Sequence, residues 1–251
     1  MESEVAPFYA DWTFWAVVVA FLAVVLSQLP PVLVWFKRAR LEIELYSKIA
    51  INHKVGNPNL QLHLIIENTG GRNVRIRSVS AKIKRDGNEI AILPAQNYLQ
   101  NQGDKNTLLF TPFSLSPGEV WAHNVNFLIW FSREEETVYR KNEAKLQADF
   151  KAKRAAIDGE PEGFIELNDE LVQPFHDFFA EKYIWEAGEY HLTVEVNTNT
   201  QKCDVQKTYR FTLFESHVAQ LKEVTDYFKY AGGISWDPNI PVGVLIDLKE
   251  V

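Results

Sequence analysis

The sequence predicts a mainly β protein: an N-terminal transmembrane helix, then an antiparallel β-sandwich with a helical insertion and a C-terminal helix. Three observations predict this. Residues 12–36 are 25 positions without a charge. From Leu41 to Leu213, apolar residues recur at every second position in one run after another, the period of a strand with one buried face. Between 133 and 182 the period lengthens to that of an amphipathic helix and charges become dense. The division is a short tail 1–11, a span 12–36 and one β domain 37–251 carrying an insertion at 133–182.

Composition sets the outer bounds. The chain has 251 residues, 46% hydrophobic and 13% aromatic, with 26 Lys+Arg against 33 Asp+Glu and a net charge of −7. A disordered chain, a collagen-like chain and a generally basic nucleic-acid binder are all excluded by that balance. With Cys203 as the single cysteine, neither a disulfide framework nor a cysteine-built metal site can form.

The first element is Trp12–Phe36. A helix crossing the hydrocarbon core needs about 20 apolar residues, and Trp12, Trp15 and Trp35 stand at the ends, where indoles favour the interface. Glu2, Glu4 and Asp11 precede the run, so it lacks the basic start of a cleaved signal peptide and reads as a retained signal-anchor. Lys37, Arg38 and Arg40 follow it directly, which places the N-terminus outside and the body in the cytoplasm. The reading is a bitopic, single-pass protein of the inner membrane whose first partner is the lipid bilayer, through residues 12–36. Pro30-Pro31 predicts a kink in the last third. The span holds no GxxxG and no ionisable residue, so it predicts an anchor and not a transport path.

Strands follow. Leu41, Ile43 and Leu45 open the alternation, and Leu60, Leu62, Leu64 and Ile66 continue it. Val74 and Ile76 are even, whereas Val79, Ala81 and Ile83 are odd, so a bulge is predicted near Ser78. Asp86-Gly87-Asn88 is a hairpin signal. A second parity change is read between Val120/Ala122 and Val125/Phe127/Ile129/Phe131. Tyr190-Leu192-Val194-Val196 and Val205-Tyr209-Phe211-Leu213 are the late strands. Turns fall between the runs at Asn57-Pro58, Thr69-Gly70-Gly71, Ser116-Pro117-Gly118 and Ala187-Gly188. About seven short strands so punctuated predict an antiparallel sandwich. No GxGxxG and no phosphate loop occur, which excludes the usual nucleotide-binding α/β folds.

Three fragments carry a resemblance. Glu67-Asn68-Thr69-Gly70-Gly71 resembles the N-x-G turn of bacterial immunoglobulin-like modules. Leu115-Ser116-Pro117-Gly118-Glu119 resembles their L-x-P-G-E turn, and Gly188-Glu189-Tyr190-His191-Leu192-Thr193-Val194 is similar to their closing strand. The resemblance spans about 40–214 and implies an Ig-like β-sandwich used for binding or support, with no particular ligand. The paired cysteines of antibody domains are absent.

In the insertion, Tyr139, Leu146, Phe150 and Ile157 form one helical stripe, and Leu171, Phe175, Phe178 and Phe179 form a second around Pro174. A helical hairpin laid as a lid over one edge or face of the sheet is expected. A third helix is predicted at 216–230 on Val218, Leu221, Val224 or Thr225, and Phe228. Gly232-Gly233 ends it, and a short strand is expected within Val242–Leu248.

Chemical motifs are few. His53, His63, His123, His176, His191 and His217 are scattered, with no HExxH, and His63 and His191 have outward strand parity. No nucleophile elbow exists, and Cys203 stands beside Asp204, whose charge disfavours a thiolate. No catalytic, metal or cofactor set is assigned. Arg75, Arg77, Lys82 and Lys84 share one strand face, a basic stripe suited to anionic headgroups or to an acidic partner. It lacks the interleaved aromatics of a nucleic-acid surface, so no nucleic-acid partner is expected. Phe175, Phe179, Tyr227, Tyr230 and Trp236 are the interface candidates. The function these features support is a membrane-anchored binding or scaffold module that engages a protein partner or a second copy of itself. The alternatives are an envelope structural protein outside the cytoplasm, and a membrane-bound enzyme or small-ligand sensor with a pocket between sheet and insertion.

Overall fold

The computed structural model describes residues 11–28, 38–101, 103–104, 106–157, 163–234 and 243–251. Helix α1 (Trp12–Gln28) begins at Asp11, whose carboxylate accepts from the Thr13 amide at 2.9 Å. It has 17 residues, and at about 1.5 Å each these cover ~26 Å, short of the ~30 Å hydrocarbon core. No helix among the described residues is long and apolar enough to cross a membrane. The predicted span 12–36 is corrected accordingly, and its remaining residues, with Pro30-Pro31, lie outside the described residues. An uncharged run counts residues whether or not they continue one helix. Here Pro30 disfavours helical backbone at Leu29, and neither proline has an N–H to donate. With the span go the bitopic, signal-anchor and inner-membrane readings and the inside–outside placement drawn from flanking charge.

The β body is antiparallel, as expected, and its strands lie on one hydrogen-bonded path. Eleven strands form one antiparallel sheet, curled until it nearly closes as a barrel: β1 (Leu41–Lys54), β2 (Asn57–Asn68), β3 (Val74–Arg85), β4 (Asn88–Leu99), β5 (Leu108–Leu109), β6 (Phe113–Leu115), β7 (Val120–Leu128), β8 (Gly188–Thr198), β9 (Val205–Leu213), β10 (Val244–Asp247) and β11 (Lys249–Glu250). Their order is β10-β1-β2-β7-β4-β3-β8-β9-β11, with β5 on β4 and β6 on β3. Two devices curl the sheet. Strand β4 pairs with β3 up to Pro94 and with β7 from Ala95, the register shifting between Ala95 and Asn97. At the far seam, β10 pairs with β1 and β11 with β9, and only Leu248 separates them. Its amide donates to Ser47 O at 2.7 Å, and Val251 N donates to Thr208 O at 3.2 Å. Residues 244–251 therefore clasp both ends of the sheet.

Local sequence accounts for the tight turns. Val55 and Gly56 (φ 48° and 86°) join β1 to β2, and Asp86 and Gly87 (φ 50° and 83°) join β3 to β4. Two consecutive left-handed residues make the hairpin turn that matches strand twist. The predicted bulge is present, with β3 slipping against β8 between Ile76 and Ser78. The predicted parity change in β7 is not: β7 pairs with β2 in unbroken register, and Val120 and Ala122 are exposed on its outer face. The turn at 67–71 and the turn at 115–119 interlock through buried Asn68. Its side-chain amide donates to Arg72 O and Leu115 O at 2.9 Å, while its own carbonyl oxygen accepts from Gly118 N at 2.8 Å.

There are two cores. The barrel interior is filled by the alternate residues of β1–β4 and β7–β9, Leu64, Ile76, Phe127, Tyr190 and Phe211 among them, together with Trp185. The second lies beneath α2 (Arg133–Ala155), α3 (Asp169–Lys182) and the 3₁₀ turn Val224–Tyr230, which pack where the β1–β2 turn emerges, whereas α4 (Glu215–Glu223) sets Leu221 into the barrel core. Ser132 caps α2 reciprocally: its hydroxyl accepts from Glu135 N at 3.2 Å and its amide donates to the Glu135 carboxylate at 2.7 Å. Lys182 of α3 pairs with the same carboxylate and ties the two helices.

Candidate functional site

The helical layer absorbs much of the aromatic material read as an interface. Phe175 is 2% exposed, edge-on to Tyr139 at 5.4 Å. Phe179 stacks on Tyr183 at 4.7 Å and meets the His53 ring at 5.3 Å. Tyr230 is half-buried against Phe164, Tyr227 is exposed, and Trp236 lies outside the described residues. Val55, Tyr139, Phe175 and Phe228 fill the seam between sheet and insertion.

His53 is the joint between barrel and helices. Its Nδ1 accepts from Gly56 N at 3.1 Å, so Nε2 carries the proton and donates to Leu221 O at 2.8 Å. Burial holds its pKa below the ordinary imidazole value, with the Leu221 carbonyl opposing. Both nitrogens are occupied, so this histidine serves structure. Gly56 must be glycine twice over, since its φ is 86° and a Cβ would lie 2.6 Å from Phe179 O.

The four basic residues of β3 stand opposite its buried face, on either side of the bulge. Arg75 is exposed beyond the bulge, Arg77 occupies the bulge itself, and Lys82 is engaged by Glu195 at 3.1 Å and Glu89 at 3.9 Å. Lys84 joins a different alignment. Register places Lys84 opposite His191, His191 opposite Arg210 and Arg210 opposite Lys249, a transverse row over β3, β8, β9 and β11. The flanking residues Ile83, Leu192, Tyr209, Phe211 and Leu248 are buried, so all four row members stand on the outer face. At about 4.8 Å per strand, the row is ~14 Å long. Among the described residues no ion pair joins any of the four to a carboxylate, whereas the neighbouring Lys82 and Lys207 are paired with Glu195 and Glu250. Arg210 and Lys249 are the like charges that stand directly opposite one another, a pairing that destabilises a sheet, whereas Lys84 has Glu89 of β4 opposite it on its other side.

The row ends at a cleft. Beside Lys249 a space of about 470 Å³ is bounded by Glu189, Arg210, Phe211, Thr212, Phe214, His217, Leu245, Ile246, Asp247 and Lys249. Asp247 is engaged by Lys48 at 2.8 Å, and that ammonium, with Lys249 adding to the field, holds its carboxyl below the usual range. His217 Nδ1 accepts from Phe214 N at 3.3 Å. The cleft is lined by charged and apolar residues alike, with Arg210 and Lys249 on the outer face and Phe211 and Ile246 belonging to the barrel core. A second groove, about 590 Å³, runs between α3 and the 3₁₀ turn past Asp169, His176, Asp226 and Lys229. No group of three or more His, Cys, Asp or Glu is arranged to hold a metal among the described residues.

His63 and His191 both stand on outer faces, as their parity predicts, and only His191 joins the row; His63 bonds Asn124 at 2.9 Å. Sequence reading missed Arg210 and Lys249. Their local signal was strand parity alone, and what unites them with Lys84 is register over a separation of 165 residues. No protein-family model matches the chain, and no curated protein matches it in sequence.

Proposed function

We propose that the protein is a binding module that holds an acidic protein partner on the outer face of β3, β8, β9 and β11. The observation that carries this reading is the in-register row Lys84–His191–Arg210–Lys249. Four basic residue types stand side by side on a chain whose net charge is −7, and the directly opposed Arg210 and Lys249 work against sheet stability. An acidic surface laid over the row removes that repulsion and gains charge-assisted hydrogen bonds, with the Arg210 fork suited to a carboxylate. Electrostatic complementarity of this kind also speeds encounter and selects the partner.

The test is binding of a fluorescent hexaglutamate peptide by anisotropy at low and physiological salt. Binding that weakens with salt, is lost in the Lys84→Glu/Arg210→Glu double variant and survives in Arg75→Glu/Arg77→Glu supports the reading. Absence of binding to the parent protein, or equal loss in both double variants, overturns it.

A further inference from the structure

We infer that α1 is immersed among the acyl chains of a lipid layer, without crossing it. The inference concerns α1 alone and stands apart from the acidic-partner reading.

From Trp12 to Gln28 the helix carries no charge. Its exposure is as uniform as its composition. Every side chain from Trp12 to Ser27 is exposed except Val18, which is partly buried. At about 100° per residue, Trp12, Val19 and Leu26 share one face, and Val17, Phe21 and Val24 lie on the opposite one. All six are between 55% and 87% exposed. Neither the barrel core nor the helical core takes in any residue of α1. A helix with one apolar stripe lays that stripe on its own domain, whereas a helix apolar all round belongs inside a core or in lipid.

Polar groups at both ends of the helix are settled internally. Asp11 accepts the Thr13 amide on its carboxylate at 2.9 Å and the Phe14 amide on its carbonyl at 3.1 Å. The Ser27 hydroxyl donates back to Val24 O at 2.7 Å. Such closure suits hydrocarbon, where no water satisfies a donor.

Other occupants cover less of α1. A protein groove reaches one face. A second copy meeting the helix along its small residues Ala16, Ala20 and Ala23 leaves Phe21 and Val25 bare on the far side. Fluid acyl chains surround every face at once. The seat is an immersion, because no helix among the described residues is long and apolar enough to cross a membrane.

The experiment mixes the full chain with phosphatidylcholine vesicles, whose zwitterionic surface offers the basic row no net charge, and reads flotation at low and high salt. The comparison is the Phe21→Glu/Val24→Glu variant. Both positions are exposed, so an unchanged urea midpoint for the β body serves as its folding control. The expected result is flotation of the parent that is insensitive to salt and falls at least tenfold in the variant. The Met1 amine is expected to stay open to an impermeant amine reagent on intact vesicles. A parent that remains in the aqueous fraction overturns the inference, and so does a variant that floats equally well. Flotation abolished by salt assigns the contact to surface charge and overturns it too. Protection of Met1 until detergent is added means that the chain crosses, which overturns immersion. Self-association without vesicles that the variant abolishes, in a parent that does not float, assigns α1 to a second copy. Hexaglutamate binding is read separately, so either reading can fail alone.

Discussion

Replacing His53 by leucine tests how the barrel holds its helical layer. The ring is buried, accepts from the Gly56 amide at 3.1 Å and donates to Leu221 O at 2.8 Å. Leucine is apolar and fits a buried site, but it leaves that N–H and that carbonyl buried without partners. Each such group costs about 1–3 kcal/mol, so the expected loss is about 2–5 kcal/mol, a large part of the ~5–15 kcal/mol that holds a domain folded. His53→Asn keeps an acceptor beside the Gly56 amide and cannot reach Leu221, so about half of that loss is expected. Urea unfolding measures both. The pH dependence has a definite sign. Burial places the folded pKa below the ordinary 6.5. The His53 contribution is therefore complete above pH 6.5 and is lost as pH falls from there through the folded value. Protonation puts a second ring N–H against the Gly56 amide. The leucine variant must accordingly show a flatter loss of stability below pH 6.5. A leucine variant as stable as its parent, with the same acid limb, refutes the reasoning.

Other outcomes follow from the same geometry. Gly56 and Gly87 have nearly equal φ, 86° and 83°, but a Cβ at Gly87 meets nothing within 4 Å, whereas one at Gly56 collides with Phe179 O. Gly87→Ala should cost about 1 kcal/mol for its left-handed backbone and Gly56→Ala about 1–3 kcal/mol more; equal losses in denaturant melts would remove the close approach from the account. Glu135 is held down to about 2 by Lys182 and by the Ser132 amide, so its contribution is present above pH 4.5 and is lost as pH falls through about 2. Glu135→Gln should flatten stability across that window, and an unchanged profile would show that the α2–α3 ion pair contributes nothing. Arg210→Gln should raise the unfolding midpoint at low salt, with the gain shrinking as salt screens the row. A lowered midpoint at low salt would contradict the repulsion argued for Arg210.

How far the primary structure could be read depended on the range of the interaction. Asp86-Gly87 and the bulge before Ser78 are local features, visible as turn chemistry and as a parity slip. The apolar stripe of α2 was legible at Tyr139 and Leu146, which are buried, and failed at Phe150 and Ile157, which are 38% and 37% exposed, because the helix leaves the second core along its length. Val120 and Ala122 misled because small apolar residues sit readily on an outer face. Barrel closure was hidden, since nothing near Leu248 announces that the residues before it pair with β1 and those after it with β9. The row was hidden for the same reason. Lys84, His191, Arg210 and Lys249 become neighbours only through three pairings, and a one-residue slip in any of them would turn that strand's cation inward. The uncharged run at 12–36 was plain as composition, but helix length is a property of backbone, and among the described residues α1 covers Trp12–Gln28.

The most direct measurement of the central claim is residue-resolved NMR titration of the full chain with hexaglutamate. The account requires the largest shifts at Lys84, His191, Arg210 and Lys249, on four strands, rising together on one binding curve. Shifts centred on Arg75 and Arg77, or on the helical layer around Tyr227 and Tyr230, would contradict it.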